Sequence, residues 1–115
     1  MRLKSAIWVA AWLRRVQGEG AFAAVRKRGA EEAGAIFIKL SRLDGTAELF
    51  GPAPQSAFEE ERPSARLFTR TLGQGPVPDA DVEARLVREK RYDPDIWILE
   101  VEDREGRHHI DDLVE

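Results

Sequence analysis

GAIFIKLSRLDGTAELFGPAP, residues Gly34 to Pro54, is where hydrophobic period and turn chemistry agree. Asp44-Gly45 lies between two strand-like runs and suits a two-residue turn in which both central residues take positive φ. A β-hairpin follows. Pairing Leu43 with Thr46 sets Leu40 opposite Leu49 and Arg42 opposite Ala47, with Ile36 and Ile38 further along that face. The other face carries Ser41 across from Glu48 and Lys39 across from Phe50, with Phe37 beyond. One face is apolar and the other mixed, the pattern of an antiparallel sheet covered mainly on one side.

Working back from the hairpin, Ser5 is placed to cap a helix whose Val9, Trp12, Leu13 and Val16 recur at helical spacing, with Gly18 as a left-handed terminator. Ala21 to Arg28 then reads as a strand, although its alanines also suit a helix. The glycine-bracketed Gly29 to Gly34 marks a turn, which would lay that strand antiparallel to Gly34–Leu43 in a meander. Working forward, Gly51-Pro52-Ala53-Pro54 ends the hairpin's second strand, and residues 55–64 are expected to form a mobile excursion. Ala65 to Leu72 gives a fourth strand. A second helix begins at Asp79 or Asp81, runs to about Arg91 with Val82, Leu86 and Val87 inward, and is stopped by Pro94. Ile96 to Glu102 is a strand with Trp97, Leu99 and Val101 toward the core and Ile96, Ile98, Glu100 and Glu102 outward, after which His108 to Glu115 returns as a short edge or frays. The expected fold is α+β, a mainly antiparallel sheet of about five strands with two helices packed on one face.

The chain's 115 residues suit a single domain, and 43% hydrophobic with 34% charged residues is ordinary for a globular protein. There is no cysteine, so disulfides and thiolate chemistry are excluded. The apolar run Ile7–Leu13 is too short to span a bilayer. The net charge of −3 is unevenly distributed: residues 1–45 carry 9 Lys and Arg against 4 Asp and Glu, the remainder 9 against 17. Pairing between the two halves is the plain reading of that asymmetry.

The chain resembles a family of small alphaproteobacterial proteins known as domain of unknown function 1491. The resemblance rests on Ile7-Trp8-Val9 followed by Leu13-Arg14-Arg15, on Arg28-Gly29 and Ala33-Gly34-Ala35-Ile36-Phe37, on Gly51-Pro52-Ala53-Pro54, and on Arg91-Tyr92-Asp93-Pro94-Asp95-Ile96-Trp97. It implies a bacterial, cytoplasmic protein and brings no activity or site residues with it.

Arg14, Arg15, Arg26 and Arg28, with Lys27, form a basic patch for an anionic ligand if the first helix packs beside the first strand, since guanidinium binds phosphate bidentately. Nucleic acid is disfavoured as a partner, because the overall balance is acidic and no aromatic series interleaves the basic residues. His108-His109 with Asp111 and Asp112 could supply a base or metal ligands, but neighbours on a strand point to opposite faces and a solvated tail is the simpler account. Asp93 and Asp95 fit turn chemistry, and Glu100 with Glu102 fits a solvent face. Trp8, Trp12 and Trp97 are core or interface anchors. No phosphate loop, dinucleotide fingerprint or serine-nucleophile motif is present. No cofactor, metal site or membrane partner is expected. The expected function is a non-enzymatic protein-interaction domain acting through a partner protein or a homodimer; the alternative is binding or processing of a small anionic ligand at the arginine patch.

Overall fold

The computed structural model describes residues 3–54 and 66–114. Helix α1 (Ser5–Gly18) is followed by strands β1 (Phe22–Lys27), β2 (Ile36–Ser41), β3 (Thr46–Pro52), β4 (Phe68–Arg70) and β5 (Val77–Pro78), then α2 (Asp79–Tyr92) and β6 (Trp97–Glu102). The expected excursion at 55–64 lies outside the described residues. The class is α+β. Among the described residues the sheet has six strands, in the order β1-β6-β2-β3-β4 with β5 paired to β3 beside this path. All its pairs are antiparallel except β2 with β6, which is parallel.

The meander is interrupted. β6 inserts between β1 and β2, pairing Val25 with Leu99 on one side and Ile38 with Leu99 on the other. A strand in that position has both faces buried, and Ile96-Trp97-Ile98-Leu99 is apolar without interruption, as a central strand requires. The two helices consequently take opposite faces of the sheet, not one. Val9, Trp12 and Val16 of α1 pack on Ile36, Ile38, Leu40, Phe50, Trp97, Leu99 and Val101. Val82 and Leu86 of α2 pack on Phe37, Ala47, Leu49, Ile96 and Ile98. Ile96 and Ile98 are thus core residues instead of outward ones, whereas Val87 is exposed.

The hairpin forms with a register one residue away from the expected one. Arg42 N–H donates to the Thr46 carbonyl at 3.0 Å, leaving Leu43, Asp44 and Gly45 as the connection. Leu43 and Gly45 have φ of 62° and 90°, and the Asp44 carboxylate accepts from the Thr46 amide at 2.9 Å and hydroxyl at 2.6 Å. Leu40 therefore faces Glu48, and Ile38 faces Phe50. A slip of one residue turns every β3 side chain to the other face: Phe50 joins the α1 core and Leu49 the α2 core. Glu48, now on the α1 side and almost buried, lies between Arg42 at 3.5 Å and Arg70 at 3.3 Å, which meets the demand of a buried carboxylate for partners.

Ser5 is not a side-chain cap. It is the first helical residue, fully buried, and its hydroxyl donates to the Gly34 carbonyl at 2.6 Å. The N-terminus of α1 is satisfied by the 29–35 loop, whose Glu32 and Glu31 carbonyls accept from Ser5 and Ala6 amides, both at 3.0 Å. Gly18 closes the helix without a positive φ; the left-handed residue is Gly20 at 87°. α2 likewise has no side-chain cap, and Asp79 and Asp81 sit in its first turn.

Candidate functional site

An open groove of about 690 Å³ lies where the end of α1, the tip of the β2–β3 hairpin and the turn after β6 meet. Its floor is set by Asp103, whose side chain is almost fully buried. One Asp103 oxygen accepts the Glu105 amide at 2.7 Å and the other accepts Arg107 Nε at 2.7 Å. Burial works against its negative charge, but these donors prevail and hold the carboxyl below its usual range. The hairpin is tied to this turn through Arg42, which donates to the Arg104 carbonyl at 3.2 Å, and Arg104, which donates to the Leu43 carbonyl at 3.4 Å.

His109 closes the wall on the α1 side. Its backbone is left-handed, at φ 59°, and its carbonyl accepts from Trp12 Nε1 at 3.1 Å and Arg15 Nη2 at 2.8 Å. Its Nδ1 lies 2.6 Å from Glu19 Oε1; its buried Nε2, which has no hydrogen-bond partner among the described residues, lies 4.0 Å from Asp103 Oδ2. The tail is therefore packed instead of frayed, and its Leu113 bridges to Phe68 of β4. His108 turns elsewhere, its ring 5.3 Å from Phe50 and its Nδ1 accepting from the Ile110 amide at 3.0 Å. Among the described residues no group of three or more His, Asp or Glu is placed to hold a metal ion.

The groove's rim is apolar and outward. Phe22 at the start of β1 is 57% exposed and Leu43 at the hairpin tip 43%, two large apolar side chains on one groove. Leu43 holds its position through a positive φ that costs a non-glycine residue about 1–2 kcal/mol. Glu102, the cross-strand neighbour of Phe22, has no hydrogen bond or ion pair from its side chain among the described residues.

A second charged cluster sits on the α2 face. Lys39, which has a side chain 6% exposed, is 2.7 Å from Asp79 and 2.5 Å from Glu83. Arg26 grips Glu83 with two bonds of 2.8 Å and reaches Glu100 at 3.2 Å. Burial opposes the Lys39 charge, but its two acidic partners raise its pKa above the ordinary lysine value. Arg26, hydrogen-bonded to it, is the main cause that draws the Glu83 carboxyl down to about 2. A lowered carboxyl pKa contributes stability that is complete above the unfolded value near 4.5 and is lost as pH falls through about 2. Glu83 is 36% exposed, so the contribution is cut by screening to about 1 kcal/mol. Urea denaturation at pH 7 and pH 3 should show wild type losing stability on acidification; Glu83→Gln should start lower and lose less.

The four arginines read as a patch are dispersed. Arg14 points to solvent with no ion pair among the described residues, and Arg15 is engaged by the His109 carbonyl and by Asp111 at 3.7 Å. Arg26 belongs to the α2-face cluster, and Arg28 stacks over Trp97 at 4.9 Å from the ring centroid. Arg15 and Arg26 thus meet acidic residues of the chain's second half. Asp93 accepts from the Asp95 amide at 3.0 Å, in keeping with turn chemistry. The groove was not foreseen, because Glu19 and His109 are 90 positions apart and no local pattern joins them.

A family model for proteins of unknown function, DUF1491, matches residues 3–111. A crystal structure of a DUF1491 family protein from Caulobacter crescentus is 39% identical, with a TM-score of 0.80, and the match covers 100% of this chain and 99% of that one. A solution structure of a protein from A. tumefaciens is 44% identical with a TM-score of 0.81, covering 100% and 97%. Among curated proteins, none matches this chain.

Proposed function

Because this chain belongs to the DUF1491 family, whose description carries no activity to transfer, we propose from the geometry of the molecule that it is a non-enzymatic docking domain whose groove receives a partner protein. The observation that carries this reading is the pair of exposed large apolar side chains, Phe22 and Leu43, on the rim of one groove. The groove's base is a braced turn and two strand ends, a rigid frame of the kind on which a docked segment loses least in ordering. A phosphate-sized ligand held by the arginines is less well supported, since Arg15, Arg26 and Arg28 are engaged at separate places. No helix among the described residues is long and apolar enough to cross a membrane. We place the protein in the bacterial cytoplasm, where the absence of cysteine is no handicap.

A photoreactive benzoylphenylalanine in place of Phe22 should give discrete adducts in living cells, while the same group in place of Tyr92, which is 83% exposed at the end of α2, should not. An adduct of twice the chain mass identifies a second copy as the partner; any other discrete mass identifies a different protein. Absence of adducts from position 22, or the same pattern from position 92, overturns the reading.

A further inference from the structure

We infer that the segment received by the groove is an extended, cationic stretch of polypeptide bearing a bulky apolar residue, an inference that rests on the docking reading above. Four acids, Glu19, Glu102, Asp103 and Glu105, line the groove against two arginines, Arg104 and Arg107, and Glu19 also meets Arg15 at 3.9 Å and His109 Nδ1 at 2.6 Å. Arg107 is paired with Asp103 at 2.7 Å and Glu105 at 3.5 Å, while Arg104 is tied to the hairpin through the Leu43 carbonyl at 3.4 Å. Glu102 has no such partner among the described residues, and its cross-strand neighbour is the exposed Phe22. Carboxylate and aromatic ring side by side on one sheet face make a composite site for lysine or arginine. The charged head meets Glu102, while the aliphatic stem lies against the ring with cation–π attraction in addition.

Leu43 supplies the apolar contact across the groove. Its positive φ and the Arg104 bond to its carbonyl fix its place on the rim. A segment with a cationic residue on the Phe22–Glu102 pair and a large apolar residue against Leu43 covers both exposed hydrophobes and neutralises the unpaired acid. An extended segment suits the open groove beside β1, the terminal strand of the sheet. A terminal strand presents unpaired backbone groups to a neighbouring chain. That edge is short, because the β1–β6 register breaks between Val25 and Lys27 and Gln17 already donates to the Ala23 carbonyl at 3.0 Å. The contact is therefore made chiefly by side chains in the groove. An acidic partner, nucleic acid included, meets the wrong charge here.

The test uses the full chain and a fluorescein-labelled pentapeptide, lysine–phenylalanine–lysine–leucine–lysine, against its counterpart with glutamate for each lysine. Fluorescence anisotropy should show saturable binding of the cationic peptide alone. Glu102→Lys should weaken it at least about tenfold and Phe22→Ala about fivefold. Glu31→Lys, the same charge change at an exposed loop residue away from the groove, should change it less than about twofold, since screening confines surface charge effects to about 10 Å. Glu102→Gln, with circular dichroism on every variant, separates lost binding from lost folding. Failure of the cationic peptide to bind, equal binding of the acidic one, or an equal effect of Glu31→Lys overturns the inference. If position 22 still crosslinks in cells after such a failure, the docking reading survives and only the cationic specificity falls.

Discussion

Gly29→Ala is expected to cost about 3 kcal/mol of stability, lowering the thermal midpoint by roughly 10 °C. A Cβ at Gly29 would run into the Asp95 carbonyl oxygen and would stand 2.6 Å from both the Ile96 carbonyl carbon and Trp97 Cδ1. Two of those atoms are backbone and the third belongs to a fully buried ring, so none can swing aside cheaply. The crowding reaches beyond one residue. Ala30 N–H donates to the Asp95 carbonyl at 2.9 Å, and the same loop supplies the carbonyls that satisfy the first amides of α1. Gly18 is the contrast: it lies within α1, has no positive φ, and leaves open space for 4 Å around the point where a Cβ would stand. Gly18→Ala should accordingly stabilise the protein by about 0.5–1 kcal/mol. Equal urea midpoints for the two variants would mean that the 29–35 loop does not press on β6 as described.

What could be read from the chain alone was whatever is settled locally. The stripe Val9, Trp12, Val16 needed only the helical period, and the hairpin needed only Asp44-Gly45 between two apolar runs. The register failed because a three-residue connection is chosen by tertiary contacts: Leu43 accepts a left-handed backbone while Arg42 and Arg70 converge on Glu48. The order of strands failed for a similar reason. Ile96 and Ile98 could be taken as an outward face only so long as nothing covered them, although an unbroken Ile96-Trp97-Ile98-Leu99 already has the composition of a strand buried on both sides. The groove was the least legible feature. Glu102 is visible as a strand residue, but its place beside Phe22, with no partner among the described residues, follows from β1 lying against β6.

Trp97 carries the other large effect, and its two substitutions divide the side chain's roles. Trp97→Ala should cost about 4 kcal/mol, because a 1% exposed indole leaves a cavity that the surrounding Ile36, Ile38 and Leu99 cannot fill. Trp97→Phe keeps most of the volume but removes the donor at Nε1, which bonds the Ala30 carbonyl at 2.8 Å, and reduces the surface on which Arg28 stacks. The Ala30 carbonyl keeps the Gly34 amide as a donor at 3.2 Å, so the lost Nε1 bond and the lost ring volume together make a cost of about 2 kcal/mol the expectation for Phe. Trp8 is the comparison residue. It stacks on Trp12 at 6.3 Å and meets Phe68 at 5.2 Å, yet is only partly buried, so Trp8→Phe should cost less than Trp97→Phe. Urea unfolding of the three variants measures these differences. If Trp97→Phe proved as mild as Trp8→Phe, the Nε1 bond would be dispensable, and Trp97 would be filling the core without also fastening the 29–35 loop that satisfies the start of α1.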